Sequence, residues 1–470
     1  MDKQIWMGKF LILTFLIPLF IYFKTLLPTV GFWDTGEFQT VAYTLDIAHP
    51  TGYPTYILIS KFFSLIFPVG EFAWRINFLS ALFASLGIFI FSLLIKKLTN
   101  NTLLGILSGI FLAVNPYLWS IAVRADPHTL HFLFASLFLY FSYEILNEDK
   151  IKLFPILSLI TGISLGNHML SVFFIPTLCL IGVSLINKFG IKKTYHQILL
   201  SIVLFVASLS VYLLIPLVSL YKEPLVVSYQ LNNFEGFKRH VLGEDFQGVM
   251  GGWTRGTFQE TLKFYLQILD RSFPYYSWVL SIVGILLTFF KRKVYGLVLI
   301  FIFSTTLVFS ATYQNASIER YFVTTLLISS LWFFEVVSIA FSNIKNHLLK
   351  TDLIIYILLL TLTNLITNYK LIDESKNYYA HEWATDRINS TSLNSVIFSW
   401  WSYSTPLWYL QKVEGVRTDV EIINKGMEVW EFEGIQKLDN QRVYFIQKID
   451  LVNSNYYLLP IDNIYELRRF

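Results

Sequence analysis

The chain is short of charge. Only 14% of its 470 residues are Asp, Glu, Lys or Arg, and 54% are hydrophobic, whereas charged residues make up about a quarter of a soluble domain. That balance excludes a string of soluble globular domains. The single cysteine, Cys179, excludes an intramolecular disulfide; it lies in an apolar run and reads as a small buried hydrophobe. A formal net charge of +4 gives no footing for nucleic acid as a partner. The sequence shows no repeat of 20–50 residues, no low-complexity linker and no glycine-rich phosphate fingerprint. No small-residue cleavage site follows the first apolar run, so that run reads as a retained span.

What the chain has instead is apolar runs of roughly 17–25 residues, the length that crosses a bilayer as a helix. Eleven spans are expected, at about 10–27, 74–95, 102–120, 129–146, 153–167, 168–187, 198–220, 274–290, 294–312, 321–342 and 352–368. The fifth is short, and "GISLGNHML" can equally form a re-entrant turn. Lys96, Lys97, Lys150, Lys152, Lys188, Lys192, Lys193, Lys291, Arg292, Lys293, Lys345 and Lys350 fall on one side, together with the N-terminus. The positive-inside rule makes that side cytoplasmic. The opposite side then holds residues 28–73, the "VRADPH" turn, the loop 221–273, the "YQNASIER" turn and everything from 369 onward. Arg124 and Arg320 stand in short outer turns against the rule, which points to a second job for each.

The first outer stretch, "VGFWDTGEFQTVAYTLDIAHPTGYP" (residues 30–54), concentrates polar groups. Asp34-Thr-Gly-Glu37 has the form of a capping box opening a helix from Thr35 to about Leu45. The two carboxylates are also spaced i, i+3, on one helix face, just outside the membrane. Phe32, Trp33 and Phe38 around them would keep a pocket partly dry, raise carboxylate pKa values and suit general-base work. His49 adds a proton acceptor, or a donor to an anion. Capping and catalysis are compatible, and both stay open from the residues alone. Asp126-Pro127 reads as an ordinary helix start, His131 as a core residue, and Arg239 and His240 as solvated loop charge. Glu335 lies inside an expected span, where an acid is a functional candidate by default.

The ordered set "FWDTGEF", "HPTGYP", "RINFLSAL", "RADPHTLH", "GNHML", "NNFEGFKRHVLGEDF", "IERYF" and "LWYLQKVEGVRTDVEII" resembles the signature of a family of multi-pass membrane proteins. That family belongs to the GT-C glycosyltransferases and includes an O-mannosyltransferase acting on plexin-type domains. Its usual pattern is Trp-Asp-Ser-Gly-Glu-Phe, then His-Pro-Pro-Gly; Thr35 and Thr51 stand here for the Ser and the second Pro. The family's usual Asp before the last outer turn is replaced by Asn315-Ala-Ser, a formal glycosylation sequon. The resemblance implies an all-α polytopic GT-C membrane enzyme over 1–368 with a small outer α/β domain over 369–470. It implies transfer of a sugar, a hexose such as mannose, from a polyprenyl-phosphate donor to a protein, glycolipid or polymer acceptor on the outer or lumenal face. Asp34 is then the expected base, with Glu37 sharing that role or ordering the acceptor. Arg320, Arg124, His128 and His168 are expected on the donor phosphate, and His49, Trp33 and Asp126 in support.

No metal site is expected, although a divalent cation on Asp34 and Glu37 stays open, lacking a further ligand at convincing spacing. In the tail, "NSVIFSW", "DVEIIN" and "QRVYFIQ" read as strands, with a helix begun at Pro406 between the first two, a βαβ unit. The rival reading is a transporter or flippase, with Glu335 as its best argument. Against it, no pair of broken spans recurs in two related halves, and the polar residues gather at one face.

Overall fold

The computed structural model describes residues 9–249, 255–313 and 317–470; Asn315 and Ala316 of the sequon lie outside them. Among the described residues seven helices are long and apolar enough to cross a membrane: Phe72–Thr99, Pro127–Asn147, Met169–Phe189, Ile191–Ser219, Lys293–Thr312, Ile318–Asn343 and His347–Ile372. An eighth expected span is a broken one, Thr102–Ala113 and Pro116–Ala122, bent by 67°. The break has a local cause. The Asn115 side chain accepts from the backbone N–H groups of Tyr117 and Leu118, and Pro116 occupies the first position of the second piece, a combination that starts a new helix. The three other expected spans form shorter apolar helices, Phe10–Lys24, Ile151–Leu165 and Val279–Lys291.

A further short apolar helix, Pro54–Ile66, lies inside the segment expected as outer loop. Leu58, Phe62, Leu65 and Ile66 are exposed along it, a spacing that puts them on one helix face. That face is turned out of the bundle, as in a helix lying in a membrane interface. Cys179 is also exposed. It points outward from the Met169–Phe189 helix, so the bilayer covers it and the protein core does not. Glu335 is already satisfied: Arg292 Nη1 stands 2.6 Å from its Oε1, the Thr288 hydroxyl donates to its other oxygen, and Arg292 Nη2 donates to Leu98 O at 2.9 Å. An intramembrane acid with a bound arginine explains itself as a helix tie and no longer argues for a transport path.

The C-terminal lobe is α/β. Its strands are β1 (Val396–Ser399), β2 (Glu421–Asn424), β3 (Val443–Phe445), β4 (Tyr456–Ile461) and β5 (Ile464–Arg469), in the order β2-β1-β3-β5-β4. β1 pairs in parallel with β2 and β3, while β3–β5 and β4–β5 are antiparallel. The expected βαβ unit is therefore the parallel half, and the closing hairpin extends it. The helix between β1 and β2 runs Trp401–Lys412 with Pro406 inside it, not at its start. Proline frees the carbonyl four residues back, and the Thr405 hydroxyl takes it over, donating to Ser402 O at 3.1 Å. That substitution lets the helix begin a turn and a half early.

This helix seats the lobe on the membrane bundle by packing against helix Trp33–Thr44. The contact is close because residue 36 has no side chain: a Cβ there would stand 2.3 Å from Gly31 O and 3.0 Å from Thr405 Oγ1. The Tyr409 hydroxyl accepts from Ala73 N at 3.0 Å. Phe32 enters an aromatic nest of Tyr379, Trp383 and Tyr403, with ring centroids 5.5–5.7 Å away. A Gly36→Ala substitution drives a methyl group into backbone, which does not give; overpacking of this kind costs about 1–3 kcal/mol. We expect a lowered melting temperature and earlier proteolytic release of the lobe, read by thermal shift and limited proteolysis.

Candidate active site

One cavity of about 820 Å³ lies where the outer segments meet. Its wall takes Trp33, Asp34, His49 and Tyr53 from the first outer segment, Arg124 from the "VRADPH" turn and His168 from the "GNHML" turn. It also takes Asp245 and Phe246 from the long loop, Tyr313, Arg320 and Tyr321 from the last outer turn, and Trp401 and Asn424 from the C-terminal lobe. Segments separated by hundreds of residues are grouped by which end of each span they follow.

Arg320 is the hub. Its Nη2 stands 2.6 Å from Asp34 Oδ2 and its Nη1 3.4 Å from Asp126 Oδ2. Asp126 is also the N-cap of helix Pro127–Asn147: its Oδ1 accepts from His128 N at 2.9 Å and from the ring Nδ1 of His128 at 2.8 Å. The ordinary helix-start reading of Asp126 holds, and its second oxygen reaches the arginine. Burial pushes the Asp126 carboxyl up, but His128 and Arg320 outweigh it and hold it well below the usual carboxylate range.

The capping box does not form. Phe32 occupies the N-cap of helix Trp33–Thr44, with no side-chain cap hydrogen bond, and both carboxylates are engaged elsewhere. Asp34 pairs with the Arg320 guanidinium and Glu37 with His49 and Trp401, so neither carboxylate is left to take the backbone N–H groups of the helix start. The expectation of a raised Asp34 pKa is also corrected. Burial pushes it up, but Arg320 and then His49 outweigh burial, and the carboxyl sits below its ordinary value.

Glu37 is completely buried and is not on the cavity wall. Its Oε1 accepts from His49 N at 2.6 Å and lies 2.9 Å from His49 Nδ1, and its Oε2 accepts from the Trp401 indole N–H at 2.5 Å. Burial pushes the His49 pKa down, but the Glu37 carboxylate overrides it, and the ring titrates above 6.5. The divalent ion left open in the sequence would have to draw Asp34 and Glu37 off two different partner sets. Among the described residues no three His, Cys, Asp or Glu side chains are grouped as a metal site.

The remaining donors sit around Arg320. His168 Nδ1 accepts from Leu170 N at 3.2 Å, which leaves the proton on Nε2; that Nε2 is buried without a partner. Arg320 Nε is likewise buried and unpartnered. Arg124 makes no ion pair among the described residues. Buried donors without acceptors are costly; two of them, His168 Nε2 and Arg320 Nε, share this cavity with the half-buried Arg124, a donor set suited to an anion. His128 is not on the wall; it stands behind His168, ring centroids 4.3 Å apart. His131 is a core residue, between Ser171 and Thr324 hydroxyls.

His240, expected as solvated loop charge, is fully buried. Its Nδ1 meets the Tyr229 hydroxyl at 3.0 Å, and burial pushes its pKa down to about 4. Gly52 (φ +85) leaves room for it, since a Cβ there would lie 3.1 Å from His240 Nε2. Arg239 is bound to Asp245, Nη2 to Oδ1 2.5 Å. Sequence reasoning missed Trp401, Tyr53, Tyr321 and Asn424. Trp401 carried one signal: a tryptophan pair opening a helix directly after a buried strand.

The described residues form a polytopic helical bundle whose inter-span turns and small α/β lobe enclose a charged cavity, a fold of GT-C type. Residues 34–189 match the family described as protein O-mannosyl-transferase TMEM260 N-terminal domain, and residues 380–431 match TMEM260-associated domain 2. The chain is 25% identical over 507 residues to protein O-mannosyl-transferase tmem260 of Dictyostelium discoideum, covering 93% of this chain and 59% of that one. It is 27% identical over 218 residues to the Mus musculus protein, covering 45% and 31%. It thus spans less than two thirds of the length of either relative. The crystal structure of ArnT from Cupriavidus metallidurans bound to undecaprenyl phosphate shares the fold, with a TM-score of 0.64 at 10% identity over 98% of this chain and 97% of that one. The apo form gives 0.60 at 12% identity. The chain is thus similar to the TMEM260 family over those two segments and shares the fold of the ArnT structures.

The Glu37–His49 pair makes a signed prediction. A histidine whose folded pKa is raised adds stability that is complete below its unfolded value and is lost as pH rises through the folded one. Wild-type protein should lose melting temperature as pH climbs above 6.5. Glu37→Gln, which keeps an acceptor for Trp401 but removes the charge, should flatten that loss; an unchanged pH–melting curve would show the pair is not formed.

Proposed function

We propose that the chain is an inverting glycosyltransferase that moves a sugar from a polyprenyl phosphate to a hydroxyl of a protein acceptor, on the outer or lumenal face. The sugar is a hexose such as mannose. The carrying observation is Arg320, gripped by Asp34 and Asp126 at the wall of a cavity with unpartnered donors. The names of the two relatives support the acceptor and the sugar, and the undecaprenyl phosphate named with the ArnT structure supports the donor class.

The donor phosphate enters beside Arg124, the Nε2–H of His168 and Arg320. The acceptor oxygen attacks the anomeric carbon from the face opposite the phosphate. The bond from that carbon to the phosphate oxygen breaks, its electron pair leaves on the phosphate, and the hydroxyl proton passes to Asp34. The arginine controls the timing. While it grips Asp34 the carboxylate is ionised but weakly basic; as it leans to the incoming phosphate, Asp34 regains the basicity that proton transfer requires. Charge growing on the phosphate meets preformed donors in a partly dry site, where each is worth most. Glu37 acts through His49, holding its ring and its charge at the wall opposite Arg320. His128 and Asp126 support the arginine from behind.

The test is transfer from a polyprenyl-phosphate hexose to Ser/Thr peptides by purified protein in lipid nanodiscs. Asp34→Asn keeps the shape and leaves Arg320 its second partner, Asp126. It should cut kcat by about 10²–10⁴, the usual worth of a general base, with little change in melting. Arg320→Lys, which keeps charge but loses the planar fork, should cost about 10²–10³. Transfer by Asp34→Asn at near wild-type rate sinks the assignment of the base, and movement of donor across the membrane without a new glycosidic bond sinks the enzyme reading.

A further inference from the structure

The two edges of the C-terminal sheet are treated differently. β4, at one edge, carries Pro460, which has no N–H to offer and blunts an edge against added strands. β2, at the other, has no proline. In β2 the N–H of Glu421 donates to Ser395 O at 2.9 Å, and just beyond it the N–H of Lys425 donates to Ser399 O at 2.9 Å. The register pairs Val396 with Glu421 through Ser399 with Asn424. Alternate residues of a strand bond the same neighbour, so Ile422 and Asn424 turn their N–H and C=O groups outward. Among the described residues these four groups have no backbone partner. β2 is also only half-covered, whereas β1 and β3 are buried throughout.

This open edge runs into the catalytic cavity. Asn424, its last residue, lines the wall with Trp401 and Asp34, and the Ser404 hydroxyl holds the Asn424 amide oxygen at 3.3 Å. We propose that β2 is the acceptor-docking edge: an extended segment of acceptor polypeptide adds to the sheet beside Ile422 and Asn424, and its next residues carry a Ser or Thr hydroxyl past Trp401 toward Asp34. The proposal rests on reading the cavity as the transfer site. The chemistry selects the occupant. An extended polypeptide presents N–H and C=O groups in alternation at the spacing of a strand, and neither a glycan nor a lipid tail does. Main-chain bonds of this kind give affinity with little sequence demand, so one edge serves many acceptors.

The test measures binding and transfer separately on the full chain in nanodiscs. The probes are a labelled, unstructured peptide rich in Thr and Val and copies of it N-methylated at one residue each. Methylation should weaken binding and raise the KM for transfer in an alternating pattern, by about tenfold at the paired residues, the equivalent of one hydrogen bond, and leave the residues between them unaffected. Ile422→Pro removes an outward N–H without breaking the β1 ladder. It should weaken peptide binding similarly while donor hydrolysis to water, measured without peptide, stays at the wild-type rate. Should that variant misfold, the methylated peptides still decide on wild-type protein. Alternating sensitivity in binding with no sugar transferred keeps the docking edge and overturns the transferase reading. Transfer that tolerates methylation everywhere overturns the docking edge alone, and a peptide that neither binds nor accepts sugar overturns both.

Discussion

One arginine between two carboxylates organises this molecule. Arg320 comes from the last outer turn, Asp34 from the first outer helix and Asp126 from the start of helix Pro127–Asn147. Removing the arginine leaves two buried carboxylates without their shared cation, a loss of several kcal/mol, so the turn that carries Arg320 ties the other two elements in position. The same arrangement is chemically poised. A second anion that arrives beside Arg320 competes with Asp34 for it, and the carboxylate's basicity follows from that competition. The two ion pairs of Arg320 bring three segments together at one point, which is why the turns that carry them can be short and still be precise.

The second constraint is the tie between lobe and membrane bundle. Trp401 donates to Glu37 from the far end of the chain, and Glu37 in turn holds His49 by both backbone and ring. An acid buried in this way is stable only with every oxygen engaged. The C-terminal lobe therefore completes the site and is more than a cover. Gly36 explains how the helices come close enough: the Asp34-Thr-Gly-Glu37 run needs its glycine for packing against Thr405, while its two acids serve different partners.

Much of this was legible in the residues, for identifiable reasons. Apolar runs and the lysine bias act locally, and they grouped the outer segments that meet at the cavity. Asp34, Arg124, Arg320 and His168 stood out because charge and imidazole at span ends are costly without a function. What misled was also local. Asp34-Thr-Gly-Glu37 reads as a cap because capping depends on neighbours in sequence, and the arginine that pairs with Asp34 is 286 residues away. Aromatic surroundings suggested a raised Asp34 pKa, since burial is visible in composition and a distant cation is not. His240 read as solvated because its loop is polar; Tyr229 and the space beside Gly52 bury it. Cys179 read as buried because an apolar run does not say whether protein or lipid surrounds it.

The sequence by itself determined that this is a polytopic membrane protein with a parallel βαβ unit in its C-terminal tail, and which inter-span segments carry the polar residues that share one end of the bundle. Hydropathy, period and charge bias are properties of short windows, and those conclusions need nothing longer. Only the tertiary structure decided that Trp401 closes the site, that Glu37 serves His49 while Asp34 faces Arg320, and that the edge of β2 opens at the cavity. Each of these depends on which surfaces the packed helices bring together, and no local pattern encodes a contact between residues hundreds of positions apart.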